Sequence, residues 1–121
     1  MSVKPDAVIT VSYENGQLVL SDNEGSPFDP KHPEKFTTKV QPNGKAGWVV
    51  GTGISSLPLI KVDSGEDIFK KLPHQKGDSW ECKIDDKQSG SAKYSITYVI
   101  DGSTDQITVD PELKIDPPGN P

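Results

Sequence analysis

Lys93-Tyr94-Ser95-Ile96-Thr97-Tyr98-Val99-Ile100 decides the fold class. Tyr94, Ile96, Tyr98 and Ile100 recur at every second position, which is the period of a half-buried β-strand and not of a helix. The stretch before it repeats the pattern. In Ser79-Trp80-Glu81-Cys82-Lys83-Ile84-Asp85, the residues Trp80, Cys82 and Ile84 face one way and Glu81 and Lys83 the other.

Working outward, Ala7 to Tyr13 alternates in the same way. Glu14-Asn15-Gly16 then signals a hairpin turn, and Gln17 to Ser21 is the returning strand. A polar loop with three prolines runs to Glu34. Lys35 to Val40 is a strand closed by Gln41-Pro42-Asn43-Gly44, a strong turn sequence. Gly47 to Gly53 reads as a short buried strand around Trp48-Val49-Val50. Leu57 to Val62 is the next, with a bulge or a two-sided environment and with Pro58 at its edge or start.

Glu66 to Leu72 is the one expected helix. Asp63 or Ser64 would cap it, and Ile68, Phe69 and Leu72 would form its apolar face. Towards the carboxy terminus, Gln106 to Val109 returns after the turn Asp101 to Asp105. Pro111 interrupts, and Leu113 to Asp116 is a last short strand.

These segments predict an all-β, two-sheet antiparallel β-sandwich of Greek-key or immunoglobulin-like type. It has seven to nine strands, at most one short helix, and a single domain over residues 1–121. Composition agrees. Ten Val and nine Ile outnumber six Leu and three Ala, and β-branched side chains favour a pleated surface. Eleven Gly and eleven Pro supply the turns.

The net charge is −5 and all thirteen basic residues are lysines. Without Arg or a basic run, no nucleic-acid partner is expected. No apolar run approaches the roughly 20 residues of a membrane helix, so no membrane partner is expected either. Cys82 stands alone, which precludes an internal disulfide, and Met1 to Asp6 carries no apolar leader. Together these predict a cytoplasmic address.

No cofactor is expected. Type 1 copper needs two His and a Cys, usually with an axial Met, yet no His or Met follows Cys82. His32 and His74 read as solvated loop residues, Cys82 as a core residue, and Asp63, Glu66 and Asp67 as an acidic turn.

Three Asp-Pro pairs remain: Asp29-Pro30, Asp110-Pro111 and Asp116-Pro117. Asp and Pro are turn residues, and each pair has that plain reading. Each also holds a chemical option. The aspartate carboxylate can attack its own backbone carbonyl through a five-membered ring and expel the proline nitrogen, leaving a cyclic anhydride. The attack is intramolecular, where effective molarities of about 10⁵ to 10⁸ M are reached in aligned geometry.

The carboxy-terminal third resembles the DP-EP family of self-cleaving bacterial β-sandwich proteins. The resemblance rests on Trp80-Glu81-Cys82-Lys83, on Tyr94-Ser95-Ile96-Thr97-Tyr98-Val99 and on Val109-Asp110-Pro111-Glu112-Leu113-Lys114-Ile115-Asp116-Pro117-Pro118. It implies aspartic-peptidase-like cleavage at Asp116–Pro117, assisted by a glutamate and a lysine, with the lysine able to form an isopeptide bond to the cleaved aspartate. Asp116 fits the cleavage position and Glu81 the glutamate. The lysine is implied in the middle of the penultimate long strand, where this chain reads Tyr94 to Tyr98. Lys93, at the strand's start, is the first choice and Lys83 the second.

Glu81 and Lys93 both fall on the outward phase of their strands, which equally suits an ordinary solvated pair. The alternative function is a non-enzymatic binding or interaction module, one that could form a homo-oligomer through its strand edges.

Overall fold

The computed structural model describes residues 7–87 and 89–115, and these form a two-layer β-sandwich. The first sheet has the order β2-β1-β4-β7-β6. Its strands are β1 (Ala7–Glu14), β2 (Gln17–Asp22), β4 (Lys45–Val50), β6 (Phe69–Lys76) and β7 (Ser79–Ile84). The second has the order β3-β10-β8-β5, from β3 (Thr37–Val40), β5 (Ile54–Gly65), β8 (Ser91–Ile100) and β10 (Glu112–Ile115). β9 (Gln106–Val109) pairs with the later half of β8, on residues Ile96 to Val99.

Alternation builds the core as the sequence predicts. Trp80, Cys82 and Ile84 are buried on β7, as are Tyr94, Ile96 and Tyr98 on β8. Two tryptophans tie the layers together. Trp48 of β4 packs edge-on against Tyr94 of β8, with centroids 5.2 Å apart, and donates its indole N–H to the Tyr94 hydroxyl over 3.2 Å. Trp80 of β7 donates to the carbonyl of Leu57 on β5 over 2.8 Å. The Asn15-Gly16 turn has positive φ at both residues, the geometry that joins two antiparallel strands most tightly.

Three expectations need correction. The described residues form ten strands, not seven to nine. The sheets are mixed, because β1 runs parallel to β4 and β3 parallel to β10. The helix over Glu66 to Leu72 is absent. β5 continues to Gly65, the chain crosses between the sheets, and β6 begins at Phe69. Ile68 and Phe69 are both buried at that crossing while Leu72 is 62% exposed, so the three never share an apolar face. Among the described residues, the helical element is a 3-10 turn at Pro33–Lys35.

The expected bulge near Leu57 to Val62 is present as register shifts along the β5–β8 ladder, one of them between Ser56 and Leu59. Among the described residues, no helix is long and apolar enough to cross a membrane.

Candidate functional site

β10 carries the chain to the residue before Asp116. It lies between β3 and β8, so hydrogen bonds hold both its edges. Leu113 and Ile115 are buried, Ile115 pairs with Val40, and the Ile115 N–H donates to the carbonyl of Gly90 over 2.8 Å. Asp116 and Pro117 lie outside the described residues.

Around this end of the sandwich, Glu66 is drawn against the start of β8. Its backbone N–H donates to the Ser91 carbonyl over 2.8 Å, and its carboxylate accepts from the Ser91 N–H at 3.3 Å. Two glycines permit the approach. A Cβ on Gly65 (φ +102°) would stand 2.8 Å from Ala92 Cα and from the Ser91 carbonyl oxygen. A Cβ on Gly90 (φ +133°) would stand 2.9 Å from Ile68 and 3.5 Å from Glu66 Oε2. Glu66 therefore sits beside the same Gly90 whose carbonyl holds Ile115. Nearby, Gln41 follows the Val40 partner of Ile115, and its buried Nε2 has no hydrogen-bond acceptor among the described residues.

The assisting residues named from the resemblance lie apart. Glu81 is on the outer face of the first sheet, with its side chain 26% exposed and 2.9 Å from Lys76 Nζ. The Lys76 hydrogen bond holds its carboxyl below the usual carboxylate range, and the charges of Lys76, Lys45 and His74 add to this. Lys93 is on the outward phase of the second sheet, opposite Glu112, and donates to the Glu34 carbonyl over 2.7 Å. The structure does not bring Glu81 and Lys93 together. Lys83 shares the outer face with Glu81 and donates to the Asn43 carbonyl. Tyr98, in the stretch where a lysine is implied, is buried among apolar side chains, and burial raises its phenol above the ordinary value.

The other two Asp-Pro pairs are described. Asp29 accepts from the Lys31 N–H over 3.0 Å, an ordinary turn contact. Asp110 is more elaborate. Buried Ser95, in the middle of β8, bridges it to Asp63 on β5: Ser95 Oγ lies 2.9 Å from Asp110 Oδ1 and also bonds Asp63 Oδ2. Thr97 and Thr108 join their hydroxyls beside this group, 3.1 Å apart. The bridge joins β5, β8 and the link between β9 and β10, and leaves no trace in the local sequence.

His32 contacts Glu34, His74 contacts the Leu72 carbonyl, and Cys82 is buried with its thiol pushed up to about 12 by desolvation. Among the described residues, no group of three or more His, Cys, Asp or Glu side chains is placed to hold a metal ion.

No family model matches the chain, and no curated protein matches it.

Proposed function

We propose that the chain cuts itself at Asp116–Pro117. The observation that carries the reading is the hold on Ile115, which pairs with Val40 of β3 and donates its N–H to the Gly90 carbonyl. The proposed scissile bond follows that held residue in the sequence. Intramolecular attack gains most where the chain is held, because its advantage disappears in a freely rotating chain.

The chemistry uses the chain's own groups. The Asp116 carboxylate adds to its own backbone carbonyl carbon, the bond to the Pro117 nitrogen breaks, and that nitrogen takes up a proton as it leaves. Water then opens the anhydride to give two carboxyl groups on Asp116. A lysine amine attacking instead would give an isopeptide bond and release a proton.

Asp116 is the nucleophile in this scheme. Glu81 and Lys93 enter it through the resemblance, while Glu66 enters through its position beside Gly90. A carboxyl group there supplies the proton that the proline nitrogen needs, a role worth roughly 10² to 10⁴ in rate.

The test is the released peptide. Incubated protein should yield a fragment that begins at Pro117, and Asp110→Ala should leave that yield intact while Asp116→Ala removes it. A fragment produced equally by Asp116→Ala would show that an outside protease made the cut.

A further inference from the structure

The outer face of the first sheet carries a feature that self-cleavage does not use. Lys45 on β4 pairs with Lys83 on β7, and Lys83 pairs with Lys71 on β6. Three ammonium groups thus stem from one row across three adjacent strands. Directly opposed side chains have Cβ atoms only about 4.5–5.5 Å apart, and like charges so placed repel.

The neighbouring row adds His74 opposite Glu81, and Lys76 bonded to Glu81. The register shift between Lys71 and His74 opens a groove of about 440 Å³ among these side chains. Five basic residues line it against one carboxylate, in a chain whose net charge is −5. The field is visible in Glu81 itself, whose carboxyl Lys76, Lys45 and His74 all hold low.

Edge protection accounts for only part of this. β6 is an edge strand, and lysines with a proline there discourage pairing with another chain. Lys45 and Lys83 are on interior strands, whose edges are already paired, so the same explanation does not reach them.

We infer that this groove binds a small ligand carrying two or more linked phosphate groups. The lysine row spans two strand spacings, roughly 10 Å, which suits a short phosphate chain. Ammonium groups bind phosphate as point charges, and several converging on one groove suit a ligand with several negative charges close together. Each ammonium has three donors, so the bonds from Lys83 to Asn43 and from Lys76 to Glu81 leave donors for a ligand.

The experiment is a titration of the ¹⁵N-labelled full chain with inorganic pyrophosphate at constant ionic strength. Saturable shifts should appear at the amides of Lys45, Gly47, Lys71, Glu81 and Lys83. Lys45→Gln with Lys83→Gln should weaken binding by at least about tenfold, and Glu81→Gln should tighten it. The same lysine pair variant should keep the dispersed amide spectrum of the parent, which separates loss of binding from loss of the fold. Shifts reproduced by chloride alone, or unchanged in the lysine variants, overturn the proposal. Tighter binding of a glutamate peptide than of pyrophosphate in the same groove also overturns it, by assigning the surface to an acidic polypeptide.

Discussion

Ile115 donates its backbone N–H to the Gly90 carbonyl across 2.8 Å, and Gly90 lies against the carboxylate of Glu66. This links the last described residue of β10 to a carboxyl group that comes from the crossing between the two sheets. The sandwich thus places the Glu66 carboxylate at the same end as Ile115.

Glu66→Gln should slow release of the carboxy-terminal peptide by roughly 10²-fold or more, the scale of a lost proton donor. Glu81→Gln should slow it less, because Glu81 is bonded to Lys76 on the opposite sheet's outer face. Cleavage rates of the two variants, measured side by side by gel densitometry, decide between them. Release should also quicken as pH falls from 8 to 5, since the leaving nitrogen needs a proton.

Gly65→Ala should destabilise the fold by about 1–3 kcal/mol, the cost of forcing a side chain into a left-handed backbone region. Its added Cβ would also press on Ala92 and Ser91 at 2.8 Å. Urea denaturation measures the loss. The same change should slow self-cleavage in the folded fraction, since Glu66 is the next residue.

Much of this fold can be read directly from residue order. Tyr94, Ile96 and Tyr98 alternate into the core, and Asn15-Gly16 turns a hairpin, because both signals are local. The crossing at Gly65 to Phe69 is misread for a physical reason. Ile68, Phe69 and Leu72 have helical spacing, yet only Ile68 and Phe69 are buried, at a sheet-to-sheet crossing, while Leu72 is an exposed apolar residue of the edge strand β6. That misreading also hides Glu66, which looks like the first turn of a helix. The parallel pairings of β1 with β4 and β3 with β10 join segments far apart in sequence and have no local signature. The same holds for the Asp63–Ser95–Asp110 bridge and the Lys45–Lys83–Lys71 row, which depend on register between strands.

Trp80→Phe should cost about 1–3 kcal/mol in urea denaturation, because the Leu57 carbonyl would lose the indole N–H that crosses the core to meet it. Trp48→Phe should be at least as costly, since it strands the fully buried Tyr94 hydroxyl.

Cys82 should resist a thiol reagent at pH 8 in the native protein and react once the chain is unfolded in urea. Its thiol is pushed up from 9.0 to about 12 by burial. The folded state therefore keeps a proton that the unfolded state gives up between those values. That part of the stability is whole below pH 9 and is lost as pH rises towards 12. Cys82→Ala should flatten the fall in stability measured between pH 8 and 10.5.

The most direct test of self-cleavage is the intact mass of the purified full chain, taken after denaturation over a time course at fixed pH. The account predicts a species lacking the five residues 117–121, growing at a rate independent of protein concentration and absent in Asp116→Ala. A mass that stays that of the whole chain throughout, under conditions where the protein remains folded, would contradict it.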